Sequence, residues 1–287
     1  MTQFLTFMLA PFLACLILVG IHVYLGIHIL ARGVIFVDLA LAQIAALGAA
    51  TAILFGYELE SFPAYLFSLL FTFIGALVFS LTRMRHPKIP HEAIIGITYV
   101  VAAATIILIM AKAPHGAEHV QSLLVGSILW VSWFVVAKTA VIYLMVGIIH
   151  WILRKKFLLI SFNPEQAIEQ GISIRWWDFL FYAIFGFVVT SSVSIAGVLL
   201  VFTFLIVPTV FAVLFTDNLS SRLIIGWIFG TLVSMIGSVL SYTLDLPTGA
   251  AIVCTFGVAL LGGAGVKNFL NKKYLAEKRL GLVERGS

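Results

Sequence analysis

Met8-Leu9-Ala10-Pro11-Phe12-Leu13-Ala14-Cys15-Leu16-Ile17-Leu18-Val19-Gly20-Ile21-His22-Val23-Tyr24-Leu25-Gly26-Ile27-His28-Ile29-Leu30-Ala31 runs without one Asp, Glu, Lys or Arg. As a helix rising about 1.5 Å per residue it is about 36 Å long, enough to cross ~30 Å of hydrocarbon. Comparable runs recur near residues 36–57, 62–82, 92–112, 131–153, 177–200, 222–243 and 249–270. A ninth, 202–216, is shorter and holds Pro208, so a half-helix or broken segment is expected there. The count is eight full spans and one doubtful crossing. Residues 120–130 are apolar but too short to span, and suit an interfacial or re-entrant helix.

The whole chain agrees with that stretch. Of 287 residues, 62% are hydrophobic and only 10% charged, and the mean hydropathy is +1.15. Soluble domains carry about 25% charged residues. Too few charges remain to cover a water-facing surface, which excludes a soluble enzyme, a disordered chain and a nucleic-acid binder. The unbroken runs of about 20 residues exclude an outer-membrane barrel, whose strands alternate over about 10. The fold class is an all-α polytopic membrane protein, a compact bundle of 8–9 transmembrane helices. Cys15 and Cys254 both lie inside apolar runs and read as small buried hydrophobes. No Lys or Arg precedes Arg32, so the basic start of a signal peptide is missing.

Lys and Arg set the orientation. With the N-terminus outside, the inner side receives Arg32, Arg83, Arg85, Lys88, Arg154, Lys155, Lys156, Arg175, Arg222, Lys267, Lys272, Lys273, Lys278, Arg279 and Arg285, 15 of the 17 basic residues. Lys112 and Lys138 stay on the outer half, with Glu58, Glu60, Glu118 and Asp245. The C-terminus is therefore cytoplasmic, provided 202–216 crosses. No G-x-x-x-x-G-K-[ST] motif is present, so the chain has no P-loop of its own.

Few polar residues interrupt the spans. Asp38 opens the second span and Gln43 lies deeper, among Ala40, Ala42, Ala45, Ala46 and Gly48, which leave room for close helix contact. Asp38 reads either as a cap at the inner interface or as a pore-lining carboxylate. His22 is near mid-span, where an ionisable group suggests an ion pathway. His28, nearer the inner end, is expected to bond a backbone group or a headgroup. Six residues separate the two, about 240° around a helix, so they cannot share one ion. On the outside, His115-Gly116-Ala117-Glu118-His119 matches H-x-x-E-H, an inverted zinc-protease pattern. Pro114 and Gly116 argue against the regular helix that chemistry needs. The alternatives are a metal-attracting cluster and an ordinary polar loop.

Two turns also stand out. In Asn163-Pro164-Glu165-Gln166-Ala167-Ile168-Glu169-Gln170-Gly171, Asn163 suits an N-cap, Pro164 the first helical position, and Gly171 a left-handed end. A cytosolic helix of about two turns is expected, either a plain connector or a docking helix. Leu244-Asp245-Leu246-Pro247-Thr248-Gly249-Ala250 is a tight outer turn in which Asp245 faces a partner or caps the last span. That last span, with Gly257, Gly262, Gly263 and Gly265, should pack tightly on a neighbour.

These residues together resemble a known family. Val37-Asp38 with Ala40-Leu41-Ala42-Gln43 through Gly48, Glu92 with Ile95-Gly96-Ile97, Asn163-Pro164-Glu165-x-Ala167-x3-Gly171, Val198-Leu199-Leu200-Val201-Phe202 through Val207-Pro208, and Leu244 to Ala250 are similar to the permease subunits of zinc/manganese/iron ABC importers. The resemblance spans nearly the whole chain. It implies a fold related to the vitamin B12 and siderophore permeases, and residence in the bacterial cytoplasmic membrane. Residues 1–270 would form a single transmembrane permease domain and 271–287 a basic cytoplasmic tail. It implies a homodimer, a pair of cytosolic ABC ATPase subunits that bind the ATP, and an extracytoplasmic metal-binding protein met near Asp245. Asn163, Glu165, Ala167 and Gly171 would mark the helix that couples to the ATPase, and 120–130 the outer gate.

No enzymatic activity and no resident cofactor are expected of this chain; the divalent metal is cargo. Its candidate pathway residues are Asp38, Gln43, His22, His115, Glu118 and His119, with Asp38 placed at a pore between two copies. The sequence departs from the family's Asp-Ala-Leu-Ser-His run, because Gln43 stands in the histidine position. An amide oxygen is a poorer zinc ligand than imidazole. The competing reading is an ion-coupled secondary metal transporter or channel, which usually shows internal repeats and more mid-span carboxylates.

Overall fold

The computed structural model describes residues 2–59, 61–83, 88–113 and 115–279. Glu60, Arg85, Pro114, Arg285 and the end of the tail from 280 lie outside them. The chain forms α1 (Thr2–Arg32), α2 (Val37–Leu54), α3 (Phe62–Thr82), α4 (His91–Met110), α5 (Gly116–Val125), α6 (Trp133–Phe162), α7 (Pro164–Glu169), α8 (Ile174–Phe215), α9 (Leu219–Leu244) and α10 (Thr248–Arg279). A single 3-10 turn, Ile128–Trp130, follows α5. No strand occurs among the described residues, and eight of the helices are long and apolar enough to cross a membrane.

Local chemistry sets several of the starts. Ser61 Oγ accepts from Ala64 N at 3.3 Å, with Pro63 in the first turn of α3. Ser132 Oγ accepts from Val135 N at 3.3 Å at the head of α6, and Asn218 Oδ1 from Ser221 N at 3.1 Å at the head of α9. Each satisfies one of the amide donors that a helix start leaves open.

α8 resolves the doubtful ninth crossing. Its 42 residues would make a rod of about 63 Å, twice the hydrocarbon thickness. The rod is broken at Gly197, whose φ of 73° and ψ of 164° are non-helical. Residues 174–196 form one arm and 198–215 a second that returns. The neighbours of each arm fix its direction. Asp178 meets Arg32 at the inner end of α1, and Ser192 meets His22 halfway up, so the first arm is antiparallel to α1. On the second arm Thr209 lies against Val23, and Val213 shares a pocket with Ile27, Leu30 and Ala31, so that arm is parallel to α1. Residues 202–216 therefore do cross. They belong to one helical element with the crossing before them, so eight membrane helices make nine crossings. The close passage of Gly226 and Gly230 past Val23, Val19 and Pro208 sets α9 antiparallel to α1, and the Phe204–Phe256 and Phe211–Gly263 contacts set α10 parallel to it. The N-terminus and C-terminus thus fall on opposite sides.

The reversal at Gly197 is clasped by α5. Gly126, with φ 69°, abuts the Ala196–Gly197 backbone, while Gly197 faces the Leu124 oxygen and the Val125 carbonyl carbon. Ser127 N donates to Ile195 O at 3.1 Å. Gly249, in the first turn of α10, abuts Val125 from the other side. The short outer helix expected at 120–130 is thus α5, begun earlier at Gly116 and pinned to two spans.

α2 is the central helix. Ala40, Ala42, Ala45, Ala46, Ala49, Ala50 and Ala52 are all buried, and a Cβ on Gly48 would lie 2.5 Å from the Phe67 oxygen. The backbones of α2 and α3 therefore touch. By contrast α10 is peripheral. Of its expected packing glycines only Gly263 has a close neighbour, the Phe211 ring; Gly257, Gly262 and Gly265 face open space. Exposed Trp130 and Trp133 mark the outer end of the bundle and exposed Trp151 and Trp176 the inner, as interfacial tryptophans do. The 18 residues from Trp133 to Trp151 span about 27 Å, close to the hydrocarbon thickness.

Candidate translocation site

Asp38 sits in the first turn of α2 and is 0% exposed. Neither of its carboxylate oxygens has a hydrogen-bond partner, and the same holds for Gln43 Oε1. Asp38 does not cap α2; the N-cap is Phe36, with no side-chain cap bond. Gln43 is five residues on, about 140° around the helix, so one chain cannot aim both at one point. The single chain encloses Asp38 instead of presenting it on an outer face, so an ion reaches it only if α2 and its neighbours part.

A hydrogen-bonded chain lies within electrostatic reach of Asp38, through Tyr143 of α6. The Tyr143 hydroxyl is 2.5 Å from Ser192 Oγ. Ser192 Oγ is 3.2 Å from His22 Nε2 and 2.6 Å from Val188 O. His22 Nδ1 is 2.7 Å from Leu18 O, and a carbonyl only accepts, so Nδ1 carries the proton. In a neutral ring Nε2 is then the acceptor, facing Ser192. His22, an expected pathway residue, thus ends a hydrogen-bonded chain that runs through Ser192 to Tyr143. Sequence reasoning missed Ser192 and Tyr143. The available signal was Thr190-Ser191-Ser192-Val193-Ser194, a run of hydroxyls in an otherwise apolar span. Thr190 and Ser191 also cross-link α8 to α3, through Thr72 at 3.1 Å and Tyr65 at 3.5 Å.

The inner mouth holds a second polar group that the sequence did not reveal. Asp178, fully buried, bonds Arg32 Nη1 at 2.6 Å and Arg83 Nη1 at 2.5 Å. Arg32 Nε also donates to Ser161 Oγ at 2.9 Å. His28, expected at a backbone group or headgroup, is buried, with its Nδ1 2.9 Å from the Ser161 side-chain Oγ, among the rings of Tyr24, His150 and Phe181. Arg32 and Arg83, read from sequence only as orientation signals, turn out to be tied into the bundle.

α7 is the expected cytosolic helix, at six residues shorter than two turns. Asn163 stands at its N-cap but makes no side-chain cap bond. Gly171, at φ 71°, closes it: Gly171 N donates to Ile168 O at 2.9 Å and Ile172 N to Ala167 O at 3.0 Å, a Schellman arrangement. Ala167 is buried, anchoring the helix, while Glu165, Gln166 and Glu169 are exposed. With Phe162, Asn163 and Pro164 those three line a groove of about 560 Å³.

On the outside, His115 is the left-handed N-cap of α5 and Glu118 and His119 lie inside it, so H-x-x-E-H does not lie on one regular helix. His115 Nδ1 is 3.5 Å from Glu118 Oε2, both exposed. Among the described residues no three His, Cys, Asp or Glu side chains gather closely enough to hold one ion. Asp245 does not cap α10. It ends α9 in a left-handed conformation, φ 52°, its N–H bonded to Ser241 O, and its side chain is exposed.

The family model described as the ABC 3 transport family matches residues 4–266. The chain belongs to the ABC 3 transport family. A probable iron transport system membrane protein of Haemophilus influenzae is 29% identical over 236 residues, 82% of this chain and 80% of that protein. The manganese transport system membrane protein MntC of Listeria innocua is 29% identical over 190 residues, 63% of this chain and 67% of that one. Chelated iron transport system membrane protein YfeC of Yersinia pestis is 27% identical over 230 residues, 80% and 76% of the two chains. The fold is that of a chain of PsaBC from Streptococcus pneumoniae, solved in complex with Fab, at TM-score 0.75 and 21% identity over 90% of each chain. A putative metal-chelate type ABC transporter in an inward-facing conformation gives 0.66 at 21% identity, over 92% of this chain and 86% of that one. The ABC 3 chain described here is accordingly a multi-pass permease of the bacterial cytoplasmic membrane.

Proposed function

We propose that the chain is the permease subunit of an ATP-driven importer for a divalent transition metal, working as a homodimer. Its partners in this reading are two cytosolic ATPase subunits, docked at α7, and an extracytoplasmic metal-binding protein, received near Asp245. The relatives named for iron and manganese transport support the cargo class.

The observation that carries the reading is Asp38. A carboxylate enclosed without a hydrogen-bond donor is costly, several kcal/mol if ionised, and a passing dication offsets that cost. Gln43, which one chain cannot aim at the same point as Asp38, adds an oxygen donor from the second copy of the homodimer, and His22 Nε2 is engaged by Ser192. Carboxylate and carbonyl oxygens suit Mn²⁺ better than Zn²⁺, so Mn²⁺ is the best-fitting cargo and Fe²⁺ the next. The test is uptake by the reconstituted transporter with Mn²⁺, Fe²⁺ and Zn²⁺ in competition. ATP-dependent Mn²⁺ accumulation that Zn²⁺ inhibits weakly is the expected result. Metal uptake that proceeds without ATP, driven by an ion gradient, would overturn it.

A further inference from the structure

We propose that Arg32 is the positioning residue that carries movement of the α7 segment to the start of α2, where Asp38 lies; this rests on the permease reading above. Arg32 grips both flanks of that segment at once. Ser161, bonded to Arg32 Nε at 2.9 Å, is two residues before Asn163. Asp178, bonded to Arg32 Nη1 at 2.6 Å, is in the second turn of α8. The guanidinium is stacked 3.9 Å over the Phe181 ring and its side chain is wholly buried, so it has no freedom to swing away. Whatever displaces α7 displaces the end of α6 or the start of α8, and either pulls on Arg32.

From Arg32 the connection to Asp38 is short and stiff. Gly33, at φ 66°, donates to Leu30 O at 3.1 Å, Val34 N reaches Ile29 O at 3.4 Å, and Val37 N donates to Val34 O at 3.0 Å. Phe36 N is held by Glu92 Oε1 at 3.0 Å, which brings in the start of α4. A hydrogen-bonded turn of this kind transmits a push that a slack linker would absorb. Arg83 divides the load: it holds Asp178 Oδ2 from the end of α3. The first turns of α8 are therefore tied to α1 and α3 together, the helices that lead into and flank α2.

A lysine separates this role from charge compensation. Lys at position 32 still neutralises Asp178, but a single ammonium cannot reproduce the planar fork that holds Ser161 and Asp178 together. The experiment uses the full transporter, this chain with its ATPase and binding protein, in proteoliposomes. Mn²⁺ uptake and ATP hydrolysis are read in the same vesicles, so that their ratio is independent of how much protein assembles. Arg32→Lys is expected to keep hydrolysis while Mn²⁺ moved per ATP falls at least fivefold. Ser161→Ala, which removes one grip and leaves the ion pair, is expected to lower the ratio at least twofold. A wild-type ratio in Arg32→Lys, or in Ser161→Ala if the lysine variant does not assemble, overturns the proposal and shows the cluster to be structural only. Hydrolysis coupled to neither Mn²⁺ nor Fe²⁺ in the unmodified complex would instead fail the permease reading itself, before any variant is compared.

Discussion

Gly197→Ala tests the reversal that makes nine crossings out of eight helices. Gly197 holds φ 73° and ψ 164°, a region essentially closed to residues with a Cβ, and forcing one there costs on the order of 1–3 kcal/mol. The added methyl also meets the Leu124 oxygen and the Val125 carbonyl carbon, each 2.6 Å from its ideal position. Both are backbone atoms of α5 and cannot rotate aside, so overpacking adds about 1–3 kcal/mol more. The sum, about 2–6 kcal/mol, is a large part of a typical folding free energy of about 5–15 kcal/mol. Denaturant unfolding in mixed micelles, followed by Trp fluorescence, measures it. Gly257→Ala is the control: no atom lies within 4 Å of that Cβ, and alanine in a helix interior should gain about 0.5–1 kcal/mol. Because Ser127 N, just past α5, depends on Ile195 O, amide exchange at Ser127 should rise in Gly197→Ala as well. A Gly197→Ala protein within about 0.5 kcal/mol of the unmodified one, or less than its control predicts, would refute the clasped reversal.

Asp38→Asn keeps shape and removes charge; the inserted amount should equal or exceed the unmodified protein's, while metal uptake falls at least tenfold, about 1.4 kcal/mol or more. Glu165→Arg and Gly171→Val should leave the chain inserted but weaken ATPase association in pull-down, the second because Val resists the φ of 71° at Gly171; normal association in both would detach α7 from the ATPase. Replacing His115, Glu118 and His119 together by Ala should raise the Mn²⁺ concentration for half-maximal uptake and change the maximal rate less, since a conducting site must release what it attracts; an unchanged concentration dependence removes the cluster from the pathway.

The spans were legible because hydrocarbon imposes about 20 apolar residues on each crossing, and the side they face because lysines and arginines gather inside. The crossing at 202–216 was the hard one. Pro208 and a short run suggested a break there, yet Pro208 is buried in an intact arm against Gly226 and Gly230, and the break is at Gly197. A glycine in an apolar run reads as a packing residue; its positive φ belongs to the tertiary contact with Gly126. The same blindness acted in reverse on α10, where Gly257, Gly262 and Gly265 looked like packing residues and face open space. Asp38, Gln43 and His22 were visible because polar groups in apolar spans stand out one by one. Asp178 was not, because near a helix end an acid reads as a terminal charge. Its partners, Arg32 and Arg83, lie 146 and 95 residues away in sequence, a separation no periodicity encodes.

The two buried polar groups constrain one another. The inner cluster holds two arginines against one aspartate, a surplus positive charge set between α1, α3 and the first arm of α8. At an effective dielectric of about 20, a dication about 8 Å from one net positive charge is opposed by about 4 kcal/mol. For a permease of divalent metal this cluster, which the start of α4 also adjoins through His91, opposes a cation leaving Asp38 toward the inner end of the protomer. α4 is also a helix with many exposed apolar residues, among them Ile97, Val100, Val101, Ile107 and Leu108, and so is free to meet lipid or a second copy. Under the homodimer reading, the arginine proposed to link α7 to α2 therefore also opposes, with Arg83, passage of the cargo through the protomer's own inner end.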